Sequence, residues 1–267
     1  MRKKPKTKYA SIILVHYSLV DDYGGKKAWA DQDTRSQMLK QSISSIVENT
    51  SYPAELIVMD NGGNPDDSNY LLDLVRKKII NTYVRYKDNM QYAFSHNQGA
   101  KLATGDYLVF TCNDVTVKKD WLTTCVKLLE DNKDRRLVAT PLIVSHINPN
   151  YNKEKIGDAR INPYAGSNCM VMDRRTWRDL GDLHVYCDFG NQWFREKVIK
   201  GYKSIAPPEN LADHLANHRG LNWRQQVKIV KTLLNKKEIN FDESLINIER
   251  SSIDNYESIR NRGRFET

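Results

Sequence analysis

The first 145 residues alternate short apolar β-type runs with amphipathic helical segments, and this alternation restricts the possible folds most strongly. The β-type runs occupy residues 9–17, 54–59, 80–86, 107–111 and 136–144. Segments with helical spacing of apolar residues lie between them, at 37–48, 70–78, 97–105 and 121–132. Such an alternation favours a parallel sheet whose two faces are both covered. We therefore expect an α/β fold with a mostly parallel central sheet and helices on both faces.

Composition indicates a soluble globular protein. The 267 residues are 40% hydrophobic and 28% charged, which is the balance of a chain with a real core. No apolar run approaches the roughly 20 residues that a membrane-spanning helix needs, and the apolar residues at 12–15 are too few for a signal peptide. The four cysteines form no CxxC pair, so we expect reduced thiols and a cytoplasmic protein.

The net charge of +8 is concentrated at the amino terminus. Residues 1–8 form a basic tail with five Lys and Arg, suited to anionic lipid head groups, to a polyanion or simply to solubility. Peripheral contact with the inner membrane face is therefore an expectation, and nucleic-acid binding is not favoured. No GxGxxG follows the first strand and no Walker A motif occurs, which argues against two common nucleotide-binding designs.

The stretch at 86–118 combines three features that point to a ligand site. A short helix ends near Gly105, a buried strand follows at 107–111, and Asn113 and Asp114 come where that strand ends. Ligands of open α/β sheets bind at the carboxyl ends of the strands. Asp114 therefore lies where a ligand is expected.

Five segments together resemble the GT-A glycosyltransferases, specifically the inverting family 2. They are SIILVHY, ELIVMDNGG, NMQYAFSHNQGAKLATGDYLVFTCNDV, GSNCMVMDRRTWRDLGDL and CDFGNQWFREKVIKGYK. The resemblance covers about residues 9–220 and implies a nucleotide-binding half at 9–118 and an acceptor half at 119–220. Residues 221–267 would be a helical, polar C-terminal extension.

The activity implied by this resemblance is metal-dependent inverting transfer of a sugar from a nucleotide-diphosphate donor, a UDP-sugar in our interpretation. The acceptor would be a hydroxyl of a glycan, a glycolipid or a protein. The family usually carries Asp-x-Asp at the end of the fourth strand, where this chain has Cys112, Asn113 and Asp114. The resemblance implies Asp114 and His214 as ligands of Mn²⁺ or Mg²⁺, and Asn113 as a contact to the sugar or ribose.

Three further residues are implied on the nucleotide side. Asp60 would accept a hydrogen bond from the base, although an Asp that opens a DNGG turn is equally good turn chemistry. Tyr17 would line the base pocket or belong to the core. Asn97 would orient the nucleotide or cap its helix.

The acceptor side is implied by a degenerate block around Asp188. An inverting transfer needs a general base for the attacking hydroxyl, and Asp188 is the only carboxylate in that block, with Asp182 as the fallback. An acid near a helix amino terminus is the alternative reading of Asp188. Gly166 and Ser167 resemble the acceptor-side glycine turn, and Trp193 would stack on a sugar or pack in the core.

Two other functions stay open from sequence. The same chemistry could act on modified DNA, helped by the basic tail. A GT-A binding module that has lost catalysis is the other alternative, because only one carboxylate stands where the family has two.

If Asp188 is the general base, Asp188→Asn will abolish turnover and leave nucleotide binding intact, because the amide cannot take the acceptor's proton. Nucleotide release and calorimetric nucleotide binding measure the two properties separately. A parallel loss of both would show that the base is misassigned.

Overall fold

The computed structural model describes residues 8–18, 32–87, 90, 92–133, 136–141, 155–162, 168–183 and 201–215. The chain divides into two compact units, Met1–Gly220 and Leu221–Thr267, and every described element belongs to the first. The strands are β1 Ala10–His16, β2 Ala54–Asp60, β3 Thr82–Arg85, β4 Tyr107–Cys112, β5 Val115–Val117, β6 Leu137–Ala139, β7 Lys155–Ile156, β8 Ala159–Asn162, β9 Cys169–Asp173, β10 Lys203–Ala206 and β11 Ala212–His214. The helices are α1 Gln32–Asn49, α2 Pro65–Arg76, α3 Tyr92–Leu102, α4 Trp121–Asp131 and α5 Arg174–Leu180. Of these helices, none is long and apolar enough to cross a membrane.

The central sheet is mixed, and its first half is wholly parallel. The strand order is β3-β2-β1-β4-β9-β6-β10-β8-β7. Strands β3, β2, β1 and β4 run parallel, whereas β9 runs antiparallel to both β4 and β6. The apolar run of β1 is buried along its whole length, as a central strand between two parallel neighbours requires.

Alternate residues of β1 supply two cores on opposite faces of the sheet. Ile12 and Leu14 belong to a core with apolar residues of α1, α2 and α4. Ile13 and Val15 belong to the other core, with residues of α3 and α5. The prediction of an α/β fold with helices on both faces is confirmed, whereas the second half of the sheet is less parallel than expected.

Two glycines allow α3 and the turn after it to approach β1 closely. A Cβ at Gly99 would lie 2.4 Å from Cγ2 of Ile13. A Cβ at Gly105 would lie 2.7 Å from the backbone of β1, at Ala10 and Ser11. These contacts fix the position of β4 along its neighbour β1. They therefore also fix the position of the residues that follow β4.

A second, two-stranded sheet brings the end of the described chain back to the carboxyl edge of β4. Strands β5 and β11 pair antiparallel, with Val115 opposite His214. The backbone N–H of Leu215 donates to the carbonyl of Asp114 at 2.7 Å. This pairing therefore brings Asp114 and His214, which are a hundred positions apart in sequence, next to each other.

Three helix starts differ from the sequence expectations. Helix α1 begins at Gln32, five residues earlier than predicted, and α2 begins at Pro65, five residues before its predicted start at 70. Asn64 caps α2 by accepting a hydrogen bond from the N–H of Asp67, and Pro65 suits the first helical position.

Helix α3 runs from Tyr92 to Leu102, so the predicted start at 97 is wrong. Its buried face carries Ser95, His96 and Asn97, which hides the apolar period. The sequence also predicts a helix at 173–180 and a short strand at 202–206, and both are confirmed, as α5 and β10. A further helix, which the sequence predicts at 191–200, and the C-terminal extension lie outside the described residues.

Replacement of Gly99 by alanine tests the close packing of α3 on β1. Without the contact to Ile13, Gly99→Ala would stabilise the helix by about 1 kcal/mol. Because the new methyl group overlaps a buried side chain, we expect a loss of about 1–3 kcal/mol in the free energy of unfolding. Urea unfolding measures it, with Gln98→Ala on the neighbouring position as control; a stabilised Gly99→Ala variant would contradict the packing described.

Candidate functional site

The carboxyl ends of β2, β1 and β4 lie side by side and carry polar residues. In the strand register, His16 faces Asp60, and Val15 faces Cys112. The N–H of Asn113 donates to the carbonyl of Val15 at 3.2 Å. Residues from three strands therefore meet at the sheet edge where ligands of open α/β sheets bind.

Asp114 and His214 are in direct contact at this edge. His214 Nε2 lies 3.1 Å from Asp114 Oδ2, and both side chains are largely buried. Two ligands on adjacent vertices of an octahedral Mg²⁺ site would be about 2.9 Å apart. In the structure this contact is a hydrogen bond or ion pair. When Nε2 carries no proton, a carboxylate oxygen and an imidazole nitrogen at this spacing would also suit one small divalent cation. Within the described ranges, no third His, Cys, Asp or Glu joins them to form a larger group.

The residue two positions before Asp114 is the half-buried Cys112. Burial, together with the charge of Asp114, raises the pKa of the Cys112 thiol well above its usual value. Among the described residues, the side chains in direct contact at this corner are one carboxylate and one imidazole.

Asp60 is a fully buried carboxylate with several internal partners. Its Oδ1 accepts a hydrogen bond from the N–H of Gly63 at 2.7 Å. Its Oδ2 accepts from the hydroxyls of Ser68 at 3.0 Å and Tyr83 at 2.7 Å. Arg85 Nε lies 3.7 Å from the same oxygen. Asp60 thus organises the turn after β2, and its predicted contact to a base stays a prediction.

Asn97 and Tyr17 occupy different environments. The side-chain amide of Asn97 donates to the carbonyl of Leu183 at 2.9 Å, and its oxygen accepts from the N–H of Leu183 at 2.8 Å. Asn97 lies in the interior of α3 and does not cap this helix. Its two hydrogen bonds join α3 to the segment that follows α5. Tyr17 directly follows β1 at the sheet edge and is partly buried. The nucleotide roles predicted for both residues stay predictions.

The acceptor-side residues fall outside the described parts of the chain. They are Asp188, Gly166, Ser167 and Trp193. Their predicted roles therefore remain predictions. The fallback base Asp182 is exposed and lies 3.6 Å from the amine of Lys101.

Two buried residues of this edge carry no motif and are not predicted from sequence. His16 ends β1, and its Nδ1 lies 3.1 Å from Nδ2 of Asn113. Its Nε2 lies 3.3 Å from Oδ2 of Asp67, in the first turn of α2. The available signal was a histidine at the end of an otherwise apolar strand.

Comparison with known proteins places these features in a family. The sequence model of the protein family described as "Glycosyl transferase family 2" matches residues 34–202 of this chain. A Drosophila melanogaster protein named "Putative polypeptide N-acetylgalactosaminyltransferase 13" is 28% identical over 122 residues, which are 42% of this chain and 21% of that protein.

Two solved structures share the fold. The mannosyltransferase PcManGT from Pyrobaculum calidifontis, in complex with GDP-Man and Mn²⁺, matches with a TM-score of 0.60 and 16% identity, covering 89% of this chain and 66% of that one. GalNAc-T7 with UDP, GalNAc and Mn²⁺ matches with a TM-score of 0.57 and 15% identity, covering 78% and 43%. The chain spans less than two thirds of the length of each of these three proteins.

Asp60→Ala tests the structural role of the buried carboxylate. The change leaves the buried groups of Gly63, Ser68 and Tyr83 without their acceptor, so we expect a loss of roughly 3 kcal/mol or more in the free energy of unfolding. Urea unfolding measures it, and Asp66→Ala, an exposed carboxylate of the same region, should change it by less than about 1 kcal/mol. Equal effects of the two variants would contradict this role.

Proposed function

The chain belongs to glycosyl transferase family 2, and from this membership we propose that it is a metal-dependent inverting glycosyltransferase. It takes a sugar from a nucleotide-diphosphate donor, a UDP-sugar in our proposal, and transfers it to a hydroxyl of a glycan, a glycolipid or a protein. The donor side is the carboxyl edge of β2, β1 and β4.

The contact between Asp114 and His214 carries the proposal. Their 3.1 Å separation suits two ligands of one Mn²⁺ or Mg²⁺ ion. With these two ligands from the described part of the chain, coordination positions remain for diphosphate oxygens and water, as is usual for such ions at phosphate sites. The presence of Mn²⁺ in both fold neighbours supports this interpretation.

The order of strands along the edge suggests how a donor would lie. Asp60, on β2, would face the base, and Asp114, beyond β4, would face the diphosphate. UDP in GalNAc-T7 supports a uridine donor, whereas the mannosyltransferase holds GDP-Man. The base is therefore the part of this proposal that a donor panel must decide.

The chemistry proposed is a single displacement at the anomeric carbon. Asp188 takes the proton of the acceptor hydroxyl while the oxygen of that hydroxyl forms the new bond to the anomeric carbon. The bond between the anomeric carbon and the diphosphate breaks at the same time, and its electron pair stays on the leaving diphosphate oxygen. A divalent cation at the Asp114–His214 corner, when bound, neutralises the charge of the diphosphate. Gly166, Ser167 and Trp193 would hold the acceptor.

A panel of UDP-, GDP- and dTDP-sugars with Mn²⁺ or Mg²⁺ tests the activity, with nucleotide release as the readout. We expect release from a UDP-sugar that disappears when the metal is chelated. A silent panel, with no calorimetric binding of any nucleotide diphosphate, would refute the transferase. Nucleotide binding without release from any donor would favour the inactive binding module.

Variants of the metal corner test its role. Asp114→Ala should abolish release, and His214→Ala should raise the Mn²⁺ concentration for half-maximal activity by about tenfold or more, because each removes one of two protein ligands. Asp213→Ala is the matched control: it lies on the same strand, is exposed and pairs with Lys118 at 3.3 Å, so it should have little effect. Unchanged Mn²⁺ dependence in His214→Ala would remove this histidine from the site.

A further inference from the structure

Asp67, His16 and Asn113 form a buried polar chain that ends at the candidate donor site. Asp67 comes from α2, His16 ends β1, and Asn113 follows β4. The side chain of His16 is fully buried, and that of Asp67 is 1% exposed. Polar contacts in such surroundings have strong electrostatic preferences because little water screens them.

The carboxylate of Asp67 determines which atoms donate and which accept along this series of polar contacts. Burial works to raise the pKa of Asp67, but contacts from His16, Ser18 and Ser36 hold it below its usual value. Asp67 is therefore ionised at neutral pH and can only accept. The Nε2 of His16 lies 3.3 Å from its Oδ2, in electrostatic contact rather than in a well-aligned hydrogen bond.

This contact selects one tautomer of His16. A lone pair on Nε2 would face a carboxylate oxygen and repel it, so Nε2 carries a proton. Nδ1 faces the side-chain nitrogen of Asn113, which is a donor, so Nδ1 is the accepting nitrogen of the ring. The atom next to Nδ1 is the side-chain nitrogen of Asn113, at 3.1 Å. The amide of Asn113 therefore donates inward, and its oxygen is left as the acceptor for a partner other than His16.

We propose that His16 is a positioning residue, which turns the Asn113 amide so that its Oδ1 accepts a hydrogen bond from a ribose hydroxyl of the nucleotide donor. This inference rests on the proposed function. The ribose is the relevant part of the donor because it joins the base to the diphosphate. Asn113 lies between the end of β2, where Asp60 would face the base, and the Asp114 corner.

The tautomer of His16 can be measured without any activity. In the full chain labelled with ¹⁵N-histidine, we expect the His16 signals of a protonated Nε2 and an unprotonated Nδ1 at neutral pH. The sequence has six histidines, so the spectrum of His16→Asn identifies the signals of residue 16 by their disappearance. A protonated Nδ1 would overturn the proposal.

Fluorinated UDP analogues test the contact to the ribose hydroxyl. Fluorine in place of the 2′- or the 3′-hydroxyl removes the hydrogen that Oδ1 would accept. In the presence of Mn²⁺, we expect calorimetry to show one of the two analogues binding the wild type about tenfold more weakly than UDP. Because organic fluorine is also a much weaker acceptor than a hydroxyl oxygen, weaker binding shows that the hydroxyl is recognised, and the tautomer of His16 shows which end of the Asn113 amide faces it.

Two substitutions of His16 distinguish an effect on the orientation of the Asn113 amide from a general effect on the stability of the fold. His16→Leu removes the acceptor for Asn113, so the preference for UDP over the fluorinated analogue should fall below about threefold. His16→Asn can offer its own amide oxygen near the Nδ1 position and should retain the preference. Because His16→Leu could fail to fold, the retained preference in His16→Asn and the tautomer measurement each stand as separate tests.

His96→Asn is the matched control. His96 is also a fully buried histidine, but its ring nitrogens face the carbonyls of Tyr92 and Thr111 at 3.1 Å, outside the Asp67–His16–Asn113 chain. The His96→Asn variant should have a lower free energy of unfolding but keep the preference of the wild type for UDP over the fluorinated analogue. A preference that survives in His16→Leu, or is lost equally in His96→Asn, would overturn the positioning role.

The two proposals fail in different ways. If the wild type binds no UDP in the presence of Mn²⁺, the donor role is refuted together with the uridine donor proposed above. If UDP binds and neither fluorinated analogue is disfavoured, the proposed contact between Asn113 and a ribose hydroxyl is wrong, and the uridine donor is unaffected.

Discussion

The burial of β1 between two parallel neighbours is the constraint on which the rest of the structure depends. Its alternate side chains supply the two cores, and the glycines of α3 and of the following turn press directly against it. Its carboxyl end lies between those of β2 and β4, and it carries His16. Any shift of β1 would therefore move the turn at Asp60 and the residues after β4 together.

The polar residues at this edge are held by different means. Asp60 and Asp67 are buried carboxylates that accept hydrogen bonds from hydroxyls and amides. Asp60 also has a weak ion pair with the half-exposed Arg85. Asp114 instead contacts a histidine from a distant strand. The first arrangement builds rigid turns, whereas the second presents a nitrogen and an oxygen that a small cation can share.

The fold could be predicted from sequence because its signal is repeated and local. Apolar strands and capped helices recur through the first 145 residues, and Asp114 was recognisable from its place after β4. The start of α3 was not, because its buried face is polar and its partners, such as Leu183 for Asn97, are far away in sequence. His16 and Asp67 were missed for the same reason: their meaning depends on contacts between α2, β1 and β4.

The return of β11 to β5 has a consequence for the entropy cost of forming the metal corner. The strands β3, β2, β1 and β4 come from the first 112 residues, whereas the histidine at the metal corner arrives with residue 214. Contacts between distant residues must repay the entropy of closing a long loop. The contact between Asp114 and His214 therefore carries a larger loop-closure cost than the pairing of the first four strands, and a cation that used both residues, as proposed, would bind only when β11 is paired with β5.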